Sequence, residues 1–188
     1  MLHNLSCKLR GIFHRLCTGK TKNIFDLSIG AHVRISGNVI FSGKNKILWG
    51  GRVESSGNGI IFLGEGVNVQ QHCHITCGEK VSIGDNTAIT ANVTITDIIH
   101  PYQDIGIAPV YQEINTRPVV IEENCLISNN AVILPGSHLG KHTIVAANSV
   151  VCGLKTKGYC VVAGSPAKVV KFYDADLEKW LSPSSDKN

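Results

Sequence analysis

Residues 121–151 read IEENCLISNNAVILPGSHLGKHTIVAANSVV, and a large aliphatic residue recurs in this stretch at every sixth position. These positions are Ile121, Ile127, Ile133, Leu139, Val145 and Val151. A small or modest side chain stands two residues before each of the last five. In an extended chain, side chains two positions apart point to the same side. Each hexad therefore predicts a short strand with two inward positions.

The same six-residue phase runs through the earlier part of the chain. It is held by Ile29, Ile35, Phe41, Ile47 and Val53, then by Leu63, Val69 and Ile75, and then by Ile83, Ile89 and Ile95. Gly or a small polar residue often follows the large one, which suits tight turns. A meander of antiparallel hairpins would also give short strands, but it has no reason to keep a six-residue phase. The period predicts an all-β fold, a parallel β-helix in which three hexads form one triangular coil.

The repeat is interrupted once and is flanked by two different segments. Residues 101–117 break the phase and predict a loop extruded from residues 26–171, the β-helix domain. Residues 1–25 carry apolar residues at helical spacing and predict an amphipathic helix, which either packs on the end of the fold or rests on a membrane surface. Asp174 begins a helical pattern, so residues 172–188 are predicted to be a short C-terminal helix and tail.

Composition limits the class of protein. The chain has 188 residues, 17% of them charged, and a formal net charge of +4, which does not require a nucleic-acid partner. Its seven cysteines include no C-x-x-C pair, and this favours reduced thiols in a cytoplasmic protein. No run of about 18 apolar residues occurs, so we expect no membrane-spanning helix.

His100 is the main candidate for chemistry. It follows Ile99, which the phase assigns to an inward position, so alternation turns His100 outward where the chain leaves the coil. Asp97 precedes His100 by three residues. A carboxylate or a backbone carbonyl on one ring nitrogen would fix the tautomer and leave the other nitrogen basic. By itself this D-x-x-H spacing is typical of many surface histidines.

Three further motifs accompany the repeats: ITDIIHP at 95–101, PVVIEENCLISNNAVILPG at 118–136 and AGSPAKVVK at 163–171. In this order they resemble the hexapeptide-repeat acetyltransferases, whose β-helix is left-handed. Within that superfamily the chain is most similar to the bacterial polysaccharide O-acetyltransferases that modify O-antigen or capsule. The resemblance extends over roughly residues 29–181.

The resemblance implies a homotrimer with acetyl-CoA in the groove between adjacent subunits. It implies that His100 is the general base that deprotonates a sugar hydroxyl, with Asp97 beside it, and that transfer is direct. No metal is required.

The resemblance also implies a set of binding residues. Asn129 and Ala147 would lie beside the pantetheine arm, and Lys168 and Lys171 near the nucleotide phosphates, unless these lysines only form a solvated face. Gln70 would lie near the acceptor, at a position where acetyltransferases of small sugars carry Asn. Two departures, Leu126 for the usual Trp and Ser128 for Gly, indicate a wider or less aromatic groove.

Three alternatives stay open at this point. The histidines of His72-Cys73-His74, together with His138 and His142, would suit a trimeric zinc-dependent β-helix carbonic anhydrase, which needs three converging imidazoles. A non-catalytic β-helix scaffold would make His100 and the lysines coincidental. An acyltransferase acting on the amine of a nucleotide-linked amino-sugar would keep the fold, the cofactor and the base.

Overall fold

The computed structural model describes residues 2–18 and 27–183, with side chains described for 5–14 and 27–183. One helix, α1, spans Leu2–Thr18. The strands are β1 Leu27–Ile29, β2 Arg34–Ser36, β3 Asn38–Phe41, β4 Asn45–Ile47, β5 Arg52–Ser55, β6 Ile60–Leu63, β7 Asn68–Val69, β8 His74–Cys77, β9 Lys80–Ile83, β10 Ala88–Ile89, β11 Thr94–Thr96, β12 Ile98–Ile99, β13 Asn115–Thr116, β14 Val119–Ile121, β15 Leu126–Ile127, β16 Val132–Ile133, β17 His138–Leu139, β18 Ile144–Val145, β19 Val150–Val151, β20 Cys160–Gly164, β21 Ala167–Asp174 and β22 Lys179–Leu181. A 3-10 helix covers Pro109–Tyr111.

The strands form three parallel faces of a β-helix. Face 1 has the order β1-β4-β7-β10-β15-β18-β20, face 2 has β2-β5-β8-β11-β16-β19, and face 3 has β3-β6-β9-β14-β17. Face 1 continues antiparallel into β21 and β22. Each coil of the β-helix contributes one strand to each of the three faces in sequence. The seven parallel strands of face 1 therefore correspond to about seven coils. The predicted β-helix is confirmed.

The core is a set of aliphatic columns running along the helix axis. On face 1, Ile47, Val69, Ile89, Ile127 and Val145 pair in register from one coil to the next, and each is fully buried. Of the large apolar positions in the predicted phase, all but Ile35 are buried, and Ile35 is half-buried. The six-residue period of the sequence thus predicts which side chains point into the core.

The turn between faces 1 and 2, called the 1–2 corner, requires a left-handed backbone conformation in successive coils. His32, His72, Asn92, Asn130 and Asn148 all have positive φ there. Asparagine tolerates this region better than most residues. Its amide can also bond along the stack, as from Asn130 Nδ2 to Asn148 Oδ1 at 3.1 Å. The corner residues therefore help to keep coils in register.

The C-terminal segment corrects one prediction. Residues 172–183 form no helix. Instead β21 pairs antiparallel with β20, and β22 pairs with β21. Asp174 accepts hydrogen bonds from the N–H groups of Asp176 and Leu177, as a helix cap would, but the chain then turns back into β22. The free edge of β21 offers backbone partners to residues 179–181, and this pairing overrides the local helical spacing. Residues 184–188 of the predicted tail lie outside the described part of the chain.

Strand β6 provides a matched test of this register. Ile61 is 0% exposed in the core, whereas its neighbour Ile60 is 43% exposed on the outer side of face 3. We expect Ile61→Ala to lower the free energy of unfolding by about 2–5 kcal/mol, because it leaves a cavity between coils. Ile60→Ala should cost less than about half as much. Urea unfolding monitored by circular dichroism measures both, and equal losses would contradict the assigned register.

Candidate active site

His100 lies at the turn between faces 2 and 3, called the 2–3 corner. It follows β12, which pairs antiparallel with β13 to form the base of the extruded loop. Both residues of β12 are half-buried, so Ile99 is not a core residue as its phase predicted, because the chain has already left the coil. His100 is exposed, as predicted, and its imidazole forms no hydrogen bond with any residue of the described chain. Its ring is thus available to a ligand or to another copy of the chain.

Asp97 has a different role from the one predicted. Its side chain is fully buried, and its carboxylate accepts hydrogen bonds from the N–H groups of Gly78 at 2.7 Å, Glu79 at 2.9 Å and Lys80 at 2.7 Å. The carboxylate therefore binds the preceding coil and not the imidazole of His100. Three charge-assisted bonds fix the backbone three residues before His100. Asp97 therefore holds the backbone before His100 in position.

The returning stem of the loop is anchored on both sides. Arg117 N–H donates to the Asp97 carbonyl at 2.9 Å, and the Arg117 carbonyl accepts from Gly136 N–H at 3.0 Å. The Thr116 hydroxyl donates to Glu79 Oε2 at 2.7 Å. The predicted loop 101–117 thus extends from a base that these hydrogen bonds hold in place. The apolar side chains of the loop point into solvent. The exposed apolar side chains are those of Tyr102, Ile105, Ile107, Val110, Tyr111 and Ile114.

The residues predicted for cofactor and acceptor share the 1–2 corner. The carbonyl of Asn129 accepts from Asn148 N–H at 2.9 Å, so Asn129 and Ala147 occupy adjacent coils of one column. Gln70 lies at the same corner further toward the N-terminus, and its N–H donates to the Ile89 carbonyl at 2.8 Å. These side chains form an edge that runs parallel to the helix axis.

The two predicted lysines extend this edge at its C-terminal end. Lys168 pairs with Ala163 across β20 and β21, and Lys171 pairs with Val161. Ala146 N–H donates to the Val162 carbonyl at 2.9 Å, so β20 lies directly above the coil of Ala147. Both lysines are exposed. Lys168 is therefore close to the Ala147 end of the column, where its ammonium group can meet an anion.

His100 and the column of Asn129 and Ala147 are separated within one chain. The first lies at the 2–3 corner and the second at the 1–2 corner, at opposite ends of the strands of face 2. A single copy therefore does not bring the predicted base and the predicted cofactor residues together.

Sequence reasoning missed an apolar column on the outside of face 1. Leu126, Ile144 and Val161 pair in register from coil to coil, and their side chains are exposed or half-buried. The signal was present, because each stands directly before an inward residue and is itself aliphatic. Outward positions of a solvated face would be polar. These three side chains form an apolar strip on the outer surface of face 1.

The candidate metal ligands do not converge. Cys73 donates its thiol to the Thr90 carbonyl at 2.9 Å, His72 packs on Trp49 with ring centroids 4.6 Å apart, and His74 lies 3.7 Å from Glu54. His138 bonds to Glu122 at 2.8 Å, and His142 to Asn124 at 2.8 Å. Within residues 2–18 and 27–183, no group of three His, Cys, Asp or Glu side chains is placed to hold a metal ion.

The buried cysteines are poor nucleophiles. Burial raises the pKa of the Cys77 thiol to about 12, with the neighbouring Asp97 carboxylate adding to the effect. Burial also raises the pKa of Cys125 to about 11 and that of Cys73 above its ordinary value. A thiol must ionise to attack a thioester, so these side chains are not suited to carry an acyl group.

Comparison with known proteins agrees with this architecture. Residues 118–153 match the family described as bacterial transferase hexapeptide (six repeats). A provisionally named lipopolysaccharide biosynthesis O-acetyl transferase, WbbJ of Escherichia coli (strain K12), is 33% identical over 156 residues, which cover 79% of this chain and 79% of WbbJ. A 2,3,4,5-tetrahydropyridine-2,6-dicarboxylate N-acetyltransferase of Staphylococcus aureus (strain JH9) is 44% identical over 73 residues, 39% of this chain and 30% of that protein.

Two solved structures share the fold. A hexapeptide-repeat acetyltransferase of Vibrio cholerae, crystallised with acetyl coenzyme A, is 22% identical with a TM-score of 0.54, covering 75% of this chain and 68% of that one. A maltose O-acetyltransferase of Clostridium difficile is 20% identical with a TM-score of 0.57, covering 92% and 87%. The chain belongs to the hexapeptide-repeat family of acetyltransferases, enzymes that take the acetyl group from acetyl-CoA.

Asp97→Asn tests the positioning role. The amide keeps the size of the carboxylate but offers one acceptor oxygen to three N–H donors. We expect the free energy of unfolding to fall by about 1.5–3 kcal/mol for each charge-assisted bond that is not replaced. Asp104→Asn is the control, because within the described chain the exposed carboxylate of Asp104 accepts a hydrogen bond only from Gly106 N–H. Unfolding in urea that leaves Asp97→Asn as stable as the control would contradict the role.

Proposed function

We propose that the chain transfers the acetyl group of acetyl-CoA to a hydroxyl group of a sugar in a surface polysaccharide, O-antigen or capsule, or in its precursor. The observation that carries the substrate class is the similarity to WbbJ over 79% of both chains. The observation that carries the chemistry is an exposed His100 on an anchored loop base. The three-bond anchor of Asp97 supports a defined position for this base.

The proposed reaction is a direct transfer. A nitrogen of the His100 imidazole accepts the proton of the sugar hydroxyl while the hydroxyl oxygen attacks the thioester carbonyl. Backbone N–H groups stabilise the tetrahedral oxyanion. As the C–S bond breaks, the imidazolium returns the proton to the CoA sulfur. The raised pKa values of the buried thiols support this route over a covalent acyl-cysteine.

We propose that the active site forms between copies in a homotrimer. Within one chain, His100 and the 1–2 corner lie at opposite ends of the strands of face 2, whereas a neighbouring copy can offer its 1–2 corner to the loop. The exposed apolar side chains of the loop and the column of Leu126, Ile144 and Val161 support such packing. In a closed cyclic trimer, each copy makes the same two contacts with its neighbours.

The donor would lie along the 1–2 corner. Asn129 and Ala147 would border the pantetheine arm, and Lys168 and Lys171 would attract the phosphates at the C-terminal end of the column. Gln70, nearer the N-terminus on the same corner, would face the acceptor. We place the enzyme in the cytoplasm, which its seven cysteines without a C-x-x-C pair favour.

N-acylation of an amino-sugar linked to a nucleotide is the second candidate. Transfer to nitrogen, though not this acceptor, is supported by the similarity to the Staphylococcus aureus N-acetyltransferase, 44% identical over 73 residues. The same base would serve an amine. Mass spectrometry of surface glycans from cells with and without the protein separates the two: loss of an acetyl ester that mild alkali also removes supports O-transfer, and loss of an amide-linked acetyl supports the second candidate.

His100→Ala tests the base. We expect kcat to fall by about 10²–10⁴-fold, because proton removal from the acceptor loses its catalyst. Acetyl-CoA binding and the oligomeric state should not change. His142→Ala is the matched control, since His142 lies at the corner between faces 3 and 1 and bonds to Asn124. The assay follows CoA release with a thiol reagent, and near-normal turnover of His100→Ala would remove this residue from the mechanism.

The double variant Lys168→Ala/Lys171→Ala tests the phosphate site. It should raise KM for acetyl-CoA and leave kcat comparatively unchanged, because the lost attraction acts equally on the substrate complex and the transition state. The difference from wild type should shrink as salt is added, since exposed charges are screened over roughly 8–10 Å at ordinary ionic strength. Lys155→Ala/Lys157→Ala, two other exposed lysines, is the control. An unchanged KM at low salt would place both lysines on a solvated face.

A further inference from the structure

Helix α1 packs on the first coil through a narrow face of small residues. Cys7 and Gly11 are buried, and Gly11 approaches the Leu27 carbonyl so closely that a Cβ would overlap it. Arg10 Nε donates to the carbonyl of Ile29 at 2.9 Å. The helix thereby covers one edge of β1, whose strand partner among the described residues, β4, lies on the other side. Within the described residues, no helix combines the length and the apolar character needed to cross a membrane.

The opposite face of the same helix is apolar and unpacked. Leu5, Leu9 and Phe13 are 57%, 56% and 70% exposed. They recur every fourth residue, so they form one stripe along the helix. The helical period places this stripe about 180° from Cys7 and Gly11. The sequence therefore specifies two contact faces on α1, and the fold uses only the one with small residues.

Basic side chains flank the stripe on both sides. A cleft of about 420 Å³ beside α1 is lined by Lys8, Lys44 and Lys46 together with polar residues, and no acidic residue lines it. Lys44 forms an ion pair with Glu65, at 3.2 Å between Nζ and Oε1. A second cleft of about 370 Å³ on the other flank contains Arg10 and Arg34, the latter paired with Glu54 at 2.7 Å. The stripe thus lies between two basic rims.

The N-terminal sequence strengthens this charge pattern. Residues 1–25 contain no Asp or Glu, and their cationic residues are Lys8, Arg10, Arg15, Lys20 and Lys22. A helix that combines an apolar stripe with basic flanks is suited to lie in the plane of a lipid interface. The apolar side chains enter the headgroup boundary while the cations meet lipid phosphates. A second copy of this chain would carry the same positive charge and would repel it.

We propose that α1 is a docking surface for an anionic lipid membrane, with Leu5, Leu9 and Phe13 inserted and the lysines of the 420 Å³ cleft facing lipid phosphates. The proposal does not depend on the identity of the acceptor sugar. It holds the enzyme at the membrane surface while the corners and the loop of the β-helix remain available for substrate.

Co-sedimentation with vesicles tests the proposal on the purified full chain. We expect binding to phosphatidylcholine vesicles containing about 30% phosphatidylglycerol, little binding to pure phosphatidylcholine, and weaker binding as salt rises. Leu9→Ser/Phe13→Ser should lower the partition coefficient about tenfold or more, since two apolar side chains no longer insert. Lys8→Gln/Lys46→Gln should lower it by about fivefold for each charge removed.

Two matched controls separate docking from general effects. Ile40→Ser/Phe62→Ser removes apolar side chains that are 40% and 36% exposed on face 3, and Lys155→Gln/Lys157→Gln removes distant exposed charges. Neither should alter binding, and all variants should keep acetyl transfer in solution. Equal loss in controls and test variants, or no preference for anionic vesicles, would overturn the proposal. A changed oligomeric state for Leu9→Ser/Phe13→Ser would assign the stripe to a protein contact and would also overturn it.

A competition experiment distinguishes lipid from a soluble anion. Inorganic phosphate should reduce vesicle binding only as much as sodium chloride of equal ionic strength. A stronger effect of phosphate would show that the clefts bind a free anion, and the membrane proposal would then be wrong.

Discussion

Stacking of the coils in register is the constraint on which this molecule depends. A single hexad buries nothing alone, because its aliphatic side chain is covered only by equivalent side chains above and below, such as Ile89 against Val69 and Ile127. The columns therefore need protection at both ends. Helix α1 covers the first coil, and the antiparallel strands β21 and β22 close face 1 at the other end. The segments at the two ends do not follow the six-residue period. The stacked coils nevertheless need them, because each end of the stack would otherwise expose its columns and strand edges.

This rigidity explains how a site can be built from simple corners. Successive coils place equivalent residues one above another, so Asn129 and Ala147 align in adjacent coils, with Gln70 at the same corner nearer the N-terminus. The excursion of residues 101–117 is held at its base by Asp97 and Arg117. The chemistry that we propose uses a base on one corner and a donor column on another. In this proposal a second copy contributes to the active site. The apolar outer column of Leu126, Ile144 and Val161 would then be buried in the contact between copies.

The sequence predicted the parts of the molecule that are governed by local period. Inward residues such as Ile127 follow from alternation and phase, whereas Ile99 was also assigned inward and is half-buried, because the chain has left the coil before residue 101. The partner of Asp97 could not be predicted, because its three N–H donors belong to another coil, at residues 78–80, and no spacing rule links them. The predicted C-terminal helix was wrong for a similar reason: Leu177, Trp180 and Leu181 have helical spacing, but Trp180 and Leu181 pair with the edge of β21 instead. The helix α1 was predicted from the sequence. Its division into a buried small-residue face and an exposed apolar face could be seen only in the structure, where the helix packs on the first coil.

Mixing two inactive variants tests most directly the claim that one active site is shared by two copies. His100→Ala lacks the base, and Ala147→Trp fills the donor column at an exposed corner where the larger side chain leaves the core intact. Co-assembled from equal amounts, the two variants should recover about a quarter of wild-type acetyl transfer, because each interface joins the loop of one copy to the corner of the next. Activity that stays at the level of the separate variants, in assemblies shown by native mass spectrometry to contain both, would contradict a shared site.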